Sequence, residues 1–566
     1  MNKDLAKLQK CEDLKDLSNL LGYTPANLAY IIYKIPSEHK YKRIRKKKRN
    51  GNYREIYAPT QKLKLLQKRL LSLLNKCTEN ATNKKAISHG FKNGLSIATN
   101  AEIHKKQSYV FNIDLEDFFP SINFGRIRGA FIKNKNFKLK PKVATIIAQI
   151  ACHNNQLPQG SPCSPFISNL ISHKLDKDLL ALAIKHNCKY SRYADDITFS
   201  TSSKKFPTQI AKKKFLSKSK WVASKELTQT ITNNGFRINK QKTRNQYKES
   251  RQIVTGLVVN RFVNVPTSNY RLVRSMCNNM FNHGYYHTFF DKNTVQATNQ
   301  SSKNFLTFFK KENKKPEQKF QSAQHCTSIN KLEGILNYTY QIKAFRHRHN
   351  KKTKTALKEN LTGVHNLYSK LLFFKYFHYM DMPTLICEGK TDRIYISCAL
   401  NQLHQKYPNL IKIDNQKKIK QFIFLKSKFH KNTIMEIEEG TSGLDKLVSV
   451  YKQKTNIFKT EGKSHPVIII LDNDNAGRST LTKAYNKYKK SKANENEIIH
   501  HIVSNLYVII IPKINDKDTQ IEDLFFTEAL EKKYNGKSFN KHNNGYETDS
   551  EYGKAYFAEK IVLTQQ

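Results

Sequence analysis

Two adjacent aspartates, Asp195 and Asp196, are residues whose type and spacing could do chemistry. The flanking segments, 189–193 and 197–199, are rich in tyrosine and β-branched residues, which predicts a β-hairpin with both carboxylates at its tip. Adjacent carboxylates repel each other unless a cation neutralises them, and Mg²⁺ prefers such oxygen ligands. The competing interpretation is an ordinary solvated Asp-Asp turn.

A second acidic stretch favours the metal site. Segment 111–122 begins as a predicted strand and has Asp114 near the end of that strand. If this strand lies beside the hairpin, Asp114 joins Asp195 and Asp196 in one carboxylate cluster. Two metal ions about 4 Å apart could then activate an attacking hydroxyl and stabilise a leaving pyrophosphate.

Gln159 and Gly160 lie between the two acidic stretches, where proline and glycine exclude a regular element. A helix is predicted from about Ser164 towards Leu180. A glycine-containing turn that leads into a helix lets the backbone approach a nucleotide closely.

Taken in this order, the three stretches resemble the palm of reverse transcriptases, with its first aspartate motif, its Pro-Gln-Gly motif and its Tyr-Ala-Asp-Asp box. The resemblance implies that the three aspartates are catalytic and hold two Mg²⁺ ions. It implies that Gln159 and Gly160 pack on the template and the incoming nucleotide. It also implies that Phe119 is the steric gate that excludes a ribose 2′-OH; a packing role in the core is the alternative for Phe119.

Composition indicates a polyanionic partner. The 566 residues include 99 Lys and Arg against 45 Asp and Glu, a formal net charge of +54. A protein this basic repels itself unless it binds a polyanion such as nucleic acid, and that binding should weaken steeply with salt. The length predicts three or four domains.

Cysteine usage and hydropathy suggest a location. The nine cysteines form no CxxC pair, which favours reduced thiols and argues against a zinc site. The N-terminus lacks the apolar region of a signal peptide, and the longest apolar run, 467–471, is too short to span a bilayer. We therefore expect a cytoplasmic protein without a membrane partner; the family resemblance implies that the cytoplasm is bacterial.

Residues 1–105 are expected to form N-terminal helices and fingers. Residues 1–35 have amphipathic helical periodicity, 40–49 are dense in Lys and Arg, 53–59 form a predicted strand, and a long helix follows from 61 to about 75.

This region resembles reverse-transcriptase fingers, in which a strand arginine and a nearby lysine hold the incoming triphosphate. The resemblance assigns these roles to Arg54 and Lys62, with a solvated base as the alternative for each. Segment 235–243 resembles the next palm motif, and Lys242 is the lysine we expect to face the pyrophosphate.

Two short motifs flank the acidic stretches of the expected palm, 106–264. Asn100 and His104 are four residues apart on one face of a predicted helix, and a Val-Thr-Gly tripeptide occupies 254–256. Together they resemble the two signatures that set retron reverse transcriptases apart from their bacterial relatives. The resemblance implies a part in RNA recognition for Asn100, His104, Val254, Thr255 and Gly256; a bland surface pair is the alternative for the first two.

A thumb is expected over 265–350, where helical periodicity is combined with many basic and aromatic residues. Such a domain grips a duplex by its backbone and shape. A helical linker is expected over 351–381.

A second acidic site is predicted beyond residue 382. Continuous apolar strands at 384–387, 467–471 and 506–512 alternate with helical patterns, which predicts a mostly parallel sheet. Sites in such sheets lie at the carboxyl ends of the strands. Acids at the ends of the first two strands are Glu388, Asp472 and Asp474.

Asp472 and Asp474 would point the same way if their strand continued through them, and with Glu388 they could hold Mg²⁺. Ordinary strand-end loops are the alternative. The patterns Glu-Gly-x-x-Asp and Asp-x-Asp-x-x-Gly resemble a TOPRIM domain, the fold of topoisomerases, bacterial primases and OLD-family nucleases. The nuclease branch fits best, and this adds Asp392 and Glu522 to the expected metal ligands.

The predicted fold is an α+β right-hand polymerase (fingers, palm and thumb), followed by an α/β TOPRIM domain over 382–530 and a loosely ordered tail over 531–566. The resemblance implies that a structured noncoding RNA is both primer, through a 2′-OH, and template. Deoxynucleoside triphosphates would be joined into RNA-linked single-stranded DNA (msDNA). The TOPRIM domain would act as a metal-dependent nuclease effector in antiviral defence.

Two alternatives remain for function. The TOPRIM domain could be a non-catalytic module that binds nucleic acid or protein, or the chain could be a bacterial reverse transcriptase outside the retrons. An oligomer is compatible with the sequence.

Overall fold

The chain forms two compact units in a computed structural model. Unit 1 comprises residues 1–267 and 342–351, and unit 2 comprises 268–341 and 352–566. The residues that the structure describes are 2–47, 51, 53–78, 86–214, 220–288, 324–348, 362–415, 417–425, 434–435, 437, 440–463, 465–494, 496–542, 548 and 550–565.

The expected domain boundaries stay predictions, and several cross residues outside this description. The residues outside this description include 48–49 of the basic stretch, much of the thumb 265–350, part of the linker 351–381 and part of the tail 531–566. Residues 268–341 of the expected thumb belong to unit 2.

Unit 1 contains the strand expected at 53–59 and the helix expected from 61, together with elements that were not predicted, such as a strand within the basic stretch 40–49. Its helices are α1 (Lys3–Lys10), α2 (Leu14–Leu21), α3 (Pro25–Ala29), α4 (Ser37–Lys40), α5 (Gln61–Thr78), α6 (Ile97–Ile103), α7 (Phe124–Lys133), α8 (Pro141–Ala151), α9 (Ser164–Ile171), α10 (His173–Lys185) and α11 (Lys225–Asn233). Its strands are β1 (Tyr41–Lys47), β2 (Tyr53–Pro59), β3 (Tyr109–Glu116), β4 (Lys189–Tyr193), β5 (Asp196–Thr201), β6 (Ala211–Lys213), β7 (Trp221–Ala223), β8 (Arg237–Ile238), β9 (Arg244–Tyr247), β10 (Ile253–Val254) and β11 (Leu257–Val258).

Local signals explain where the first helices begin and end. The side chains of Asn2, Asp13 and Thr24 accept hydrogen bonds from the first backbone N–H groups of α1, α2 and α3. Gly22 ends α2 in the left-handed conformation. The helix expected from Ser164 to Leu180 is interrupted at Ser172 and forms α9 and α10.

The antiparallel sheet at the centre of unit 1 has the order β4–β5–β3–β8, and β9 also pairs with β3. The predicted hairpin is formed by β4 and β5, in which Tyr193 pairs with Asp196. β3 lies beside β5, with Asp114 directly opposite Asp196. The acidic stretches therefore meet at one end of one sheet.

Unit 2 begins with helices and then forms an α/β arrangement. Its helices are α12 (Thr267–His283, from Ser268), α13 (Ile329–Arg348, up to Gln341), α14 (Thr362–Phe373), α15 (Asp392–Gln402), α16 (Thr441–Thr455), α17 (Asn475–Tyr488), α18 (Thr527–Leu530) and α19 (Lys554–Tyr556). Its strands are β12 (Tyr286–Thr288), β13 (Gln324–Cys326), β14 (Thr384–Cys387), β15 (Ile411–Asp414), β16 (Lys417–Lys420), β17 (Ile423–Phe424), β18 (Val467–Leu471), β19 (Ile499–Val503), β20 (Leu506–Ile510), β21 (Ser538–Phe539) and β22 (Glu551–Tyr552).

The main sheet of unit 2 has the order β17–β14–β18–β20–β19. Neighbours from β17 to β20 are parallel, and β19 is antiparallel to β20. The continuous apolar strands thus form a mostly parallel sheet, as their composition predicts. Parallel pairing of β14 with β18 brings their carboxyl ends to one edge.

The described part of the tail is packed, which differs from the loose order expected. Tyr552, Phe557 and Ile561 are buried in one cluster with Tyr395 of α15 and Ile521. These contacts join residues far apart in sequence, so local composition carried no sign of them. In the part of the chain that the structure describes, we find no helix with the length and hydropathy of a membrane span.

Candidate active site

The structure brings Asp114, Asp195 and Asp196 together. Beyond the pairing of β3 with β5, the backbone N–H of Leu115 donates a hydrogen bond of 3.0 Å to the carbonyl oxygen of Asp195. This bond fixes the hairpin tip against the end of β3. Ala194, in the same turn, has a φ of 56°, a conformation uncommon for a residue with a side chain.

Crowding of negative charge marks this site. Loss of hydration, followed by the charge of Asp114, raises the pKa of Asp195. Asp196 is exposed as a residue, but partial desolvation of its carboxylate and then the charges of Asp195 and Asp114 raise its pKa to about 6. Lys242 opposes both shifts, and its Nζ lies 2.8 Å from Oδ2 of Asp114.

The carboxylates suit a divalent cation chemically. They offer hard oxygen ligands whose mutual repulsion a cation would relieve. Among the described residues, however, no three His, Cys, Asp or Glu side chains are grouped so that they could hold a metal ion as they stand. Beside Asp114 the positive charge is the Lys242 ammonium, so a metal at this carboxylate requires the lysine to move.

Gln159 and Gly160 pack against strand β2, which carries Arg54. The N–H of Tyr57 donates to the carbonyl oxygen of Gln159 at 2.8 Å. A Cβ on Gly160 would lie 2.7 Å from the carbonyl oxygen of Tyr57, and Gly160 has a φ of 123°, so glycine is required there. Arg54 is close enough to Asp195 for its charge to lower the pKa of that carboxyl.

Lys62 contacts an aromatic ring, and its expected role at the triphosphate stays a prediction. Its ammonium lies 5.3 Å from the ring centroid of Tyr30, a cation–π arrangement on the N-terminal helices. The structure therefore joins Arg54 to the acidic site, whereas Lys62 is engaged by an aromatic ring.

Phe119 belongs to a group of aromatic rings beside the turn that carries Ala194 and Asp195. Its ring is half-buried, 5.3 Å from Phe118 and 6.3 Å from Phe91. Phe91 is 50% exposed and lies 6.5 Å from Tyr193 of the turn. Phe91 therefore presents an exposed aromatic face close to the turn that carries Asp195 and Asp196.

Asn100 and His104 are buried, so the alternative of a surface pair is wrong and neither side chain has surface for direct contact with RNA, while their part in RNA recognition stays a prediction. Their exposed fractions are 1% and 0%. His104 Nε2 lies 2.7 Å from Ser191 Oγ and Nδ1 lies 2.7 Å from Ser200 Oγ, while Ser191 Oγ donates to Asn100 Oδ1 at 2.7 Å. The spacing of the two residues on one face was correct, but that face is turned towards β4 and β5.

The Val-Thr-Gly motif at 254–256 forms the tip of the β10–β11 hairpin. Thr255 and Gly256 have φ values of 46° and 84°, as in a type I′ turn. Thr255 Oγ1 donates to the carbonyl oxygen of Ile97 at the start of α6. Val254 is buried, so Thr255 and Gly256 are the members of the motif that retain exposed surface.

Arg192 and Asp176 form a buried ion pair behind the turn, and sequence reasoning missed both. Arg192 Nε and Nη2 donate to the two carboxylate oxygens of Asp176 at 2.7 and 2.8 Å. The available signal was an arginine directly before the acidic box, together with an acid within an apolar helical pattern.

Unit 2 assembles its acids at the edge where β14 and β18 end. Asp472 Oδ1 accepts a hydrogen bond of 3.0 Å from the N–H of Ile521, which brings the following Glu522 to this edge. Burial first, and then the charges of Asp392 and Glu388, raise the pKa of Asp472 to about 7. The charge of Glu522 adds to this shift.

Asp474 differs from the expected arrangement. β18 ends at Leu471, so Asp472 and Asp474 do not alternate along one strand. Asp474 instead caps α17, because its Oδ1 accepts from the N–H groups of Ala476 and Gly477. It remains close to Glu388, whose pKa is raised by burial and then by the charge of Asp474.

The glycines of the two acidic patterns in unit 2, Gly389 and Gly477, lie in close contact with acidic residues. A Cβ on Gly389 would lie 2.6 Å from Asp392 Oδ1, and a Cβ on Gly477 would lie 2.0 Å from the carbonyl oxygen of Asp472. The N–H of Gly389 also donates to Asp392 Oδ2 at 2.7 Å. The glycines in both patterns are therefore explained by close approach of the acidic segments.

Lys554 of the tail reaches the same acids and was missed by sequence reasoning. Its Nζ lies 2.9 Å from Glu522 Oε2. Glu522 is 1% exposed, and its Oε1 has no hydrogen-bond partner among the described residues. An unpartnered buried carboxylate oxygen beside other acids fits a cation.

A comparison with protein families finds a match that lies within unit 1. Residues 44–259 match the family described as reverse transcriptase (RNA-dependent DNA polymerase). The chain is 32% identical over 271 residues to the retron Ec86 reverse transcriptase of Escherichia coli, covering 48% of this chain and 78% of that protein. It is 32% identical over 276 residues to the retron Mx162 reverse transcriptase of Myxococcus xanthus, covering 45% of this chain and 54% of that protein.

Among solved structures, telomerase from Candida albicans with a fragment of telomeric RNA matches with a TM-score of 0.30 and 10% identity. That match covers 62% of this chain and 66% of the telomerase chain.

Proposed function

The chain belongs to the retron reverse transcriptase family, and from this premise we propose that unit 1 polymerises DNA on an RNA template with Asp114, Asp195 and Asp196 as its catalytic carboxylates. The observation that carries the proposal is the meeting of these three acids at one end of the sheet, with raised pKa values for Asp195 and Asp196. Metal ions bound there would activate the primer hydroxyl and stabilise the leaving pyrophosphate.

Other groups of unit 1 have roles in this proposal. Arg54 and Lys242 supply positive charge for the triphosphate, since each is electrostatically coupled to the acids. The backbone at Gln159 and Gly160, held against β2, forms a surface for the nucleotide and template. Phe119 would act as the steric gate for the sugar; its half-buried ring, next to Phe91 beside the turn that carries Asp195, supports this role.

The test is DNA synthesis by an Asp195→Asn variant. This change keeps the shape of the side chain but removes a metal ligand, so Mg²⁺-dependent extension of a primer on an RNA template should fall by orders of magnitude while the fold is retained. Glu226→Gln, an exposed acid-to-amide change on α11, is the matched control. Near-parental synthesis by Asp195→Asn would refute the assignment.

We also propose the retron product for this chain. The RNA partner would be a structured noncoding RNA that serves as template and supplies the priming 2′-OH, and the product would be RNA-linked single-stranded DNA. Family membership supports this, and the net charge of +54 supports a polyanionic partner. Sequencing the nucleic acid that copurifies with the protein tests it, since a product without a 2′-linked RNA would contradict it.

For unit 2 we propose a TOPRIM-type, metal-dependent nuclease that acts as an antiviral effector. The specific support is the acidic edge itself. Burial and the charges of Asp392, Glu388 and Glu522 raise the pKa of Asp472 to about 7, and Oε1 of buried Glu522 has no hydrogen-bond partner among the residues that the structure describes. Acids outnumber the base Lys554 that reaches this edge, whereas a module that only bound phosphates would be expected to present mainly Lys or Arg. Metal ions at this edge would activate water and neutralise the scissile phosphate.

The experiment expresses the full chain without its DNA product and follows host growth and nucleic-acid integrity. Glu388→Gln and Asp472→Asn should remove cleavage and toxicity and leave reverse transcription intact. Asp516→Asn, an exposed change in unit 2, is the matched control. If the two acid variants stay as toxic as the parent, unit 2 is a binding module instead.

A further inference from the structure

Arg192 is fully buried and lies directly before the catalytic turn. Two of its nitrogens pair with Asp176, which also accepts a hydrogen bond of 2.9 Å from Tyr190. Replacing a buried ion pair with apolar residues is often neutral or favourable for stability, so its presence points to a role beyond stability.

Two further hydrogen bonds of the guanidinium reach the turn and α9. Nη1 donates to the carbonyl oxygen of Ala194 at 2.9 Å, and Nη2 donates to Asn169 Oδ1 at 3.2 Å. Ala194 is the residue with the left-handed φ of 56°, and it immediately precedes Asp195. Such a conformation persists at a residue with a side chain when its surroundings impose it.

Asn169 connects the same arginine to the loop at 88–90. Its Nδ2 donates to the carbonyl oxygen of Gly90 at 2.8 Å, and its Oδ1 also accepts from Ser88 Oγ at 3.0 Å. A Cβ on Gly90 would lie 2.7 Å from the backbone nitrogen of Ala194, so this loop presses directly on the turn. Arg192 thus joins α10, α9 and the loop to one strained peptide.

We propose that Arg192 is a positioning residue for DNA synthesis, which holds Ala194 in its left-handed conformation and thereby presents Asp195 to Asp114. The proposal rests on the proposed catalytic role of Asp195. Asp176 pairs with Arg192 and neutralises its charge. The negative charge of the catalytic carboxylates therefore stays available to a cation.

The test compares full-length variants in primer extension with saturating RNA template and varied deoxynucleotide. Arg192→Lys keeps the charge but loses the forked geometry, so kcat should fall between about tenfold and about a hundredfold with little change in the KM for the nucleotide. Adding Ala194→Gly, which removes the steric cost of the positive φ, should recover part of the lost kcat. A role confined to folding would give no such rescue.

Arg126→Lys is the matched control. Arg126 also donates to backbone carbonyls, those of Ser121, Asn234 and Gly235, but not to the turn. Its kcat per folded molecule should equal that of the parent. Melting curves give the folded fraction for every variant.

Asn169→Ala keeps the proposal testable if Arg192→Lys does not fold, because Asn169 is half-buried. Its kcat should fall about threefold or more, as expected from a small displacement of a catalytic group. Parental kcat in Arg192→Lys or Asn169→Ala, or a loss in Arg192→Lys that Ala194→Gly does not relieve, would overturn the positioning role. An inactive parent would instead count against the polymerase assignment.

Discussion

The ammonium group of Lys242 lies 2.8 Å from Oδ2 of Asp114, so the first of the three clustered aspartates is already paired with a cation. The side chain of Lys242 is 55% exposed and that of Asp114 is 9% exposed. The lysine can therefore leave for solvent without opening a cavity, whereas the aspartate is fixed. This pairing makes Lys242 and a divalent metal ion competitors for the same oxygen.

Lys242→Met should strengthen metal binding for that reason. Removing the competing charge should lower the Mg²⁺ concentration at which the thermal transition of the protein shifts, by several-fold. Thermal shift is the suitable measurement because loss of a triphosphate contact could lower activity at the same time. Lys240→Met, an exposed neighbour, is the control. An unchanged Mg²⁺ midpoint would mean that Lys242 does not compete.

Asp196→Asn should stabilise the metal-free protein in a pH-dependent way. The pKa of Asp196 rises from 3.8 to about 6 in the folded protein, so ionisation destabilises the fold. This penalty is absent below about pH 4, grows between about pH 4 and 6, and is complete above that range. Melting temperatures in a chelator should show the variant above the parent at pH 8 and equal to it near pH 4. The same difference at both pH values would contradict the shift.

Much of the acidic site could be predicted because its residues follow strands that pair with one another. A hairpin fixes Asp195 and Asp196, and the register of β3 against β5 then fixes Asp114. Sequence spacing could not tell that the face shared by Asn100 and His104 is buried, because an amphipathic pattern is set by what packs against the helix.

Other parts of the structure depend on contacts between distant residues. Lys554 meets Glu522 across 32 positions, and it does so through a tail that lacks a clear periodic pattern. The burial of Arg192 was equally hidden, because a charged residue beside an active-site motif is ordinarily expected at the surface. Long-range polar pairs therefore remained beyond sequence reasoning in both units.

Phe119→Ala should relax the choice of sugar. The change opens space beside the half-buried ring, so incorporation of ribonucleotides relative to deoxynucleotides should rise by about tenfold or more, if loss of a steric clash is worth at least about 1.4 kcal/mol. Competition between labelled ribo- and deoxynucleotides measures the ratio. Phe118→Leu, a change in the adjacent buried ring, serves as the control. An unaltered ratio would make Phe119 a packing residue.

His104→Ala should weaken the fold rather than RNA binding. It removes the imidazole partner of two buried hydroxyls, that of Ser200 and that of Ser191, which keeps its bond to Asn100, at a cost of about 2 kcal/mol. RNA affinity of the folded fraction should be unchanged, since the side chain has no exposed surface. Reduced affinity with an unaltered melting temperature would restore the direct-contact role.

The pH dependence of this effect gives an independent check. Burial lowers the pKa of His104 from 6.5 to about 3, so the folded protein binds one proton fewer than the unfolded chain over that range. The contribution of neutral His104 to the free energy of unfolding is present above about pH 6.5 and is lost progressively as the pH falls. The variant should therefore lose less stability between pH 7 and pH 5 than the parent does. Parallel stability curves would contradict a neutral buried imidazole.

Asp472→Asn should reveal whether the acidic edge of unit 2 binds metal, independently of any cleavage. The raised pKa of about 7 means that ionised Asp472 destabilises the fold increasingly from about pH 4 to pH 7 and fully above that range. The variant should thus melt higher than the parent at pH 8 without metal, and no higher near pH 4. Mg²⁺ should raise the melting temperature of the parent at pH 8 by binding the folded form.

The decisive comparison is the size of that Mg²⁺ effect in two full-length variants, Asp472→Asn and Asp516→Asn, each combined with Asp195→Asn to disable the proposed metal site of unit 1. Asp516→Asn should keep the remaining Mg²⁺ shift, because Asp516 is exposed and has no part in the acidic edge. Asp472→Asn should lose it, because the amide cannot replace an anionic ligand beside Glu388 and Asp392. Equal shifts in the two would show that the crowded acids do not bind the ion, and the nuclease assignment would lose its metal.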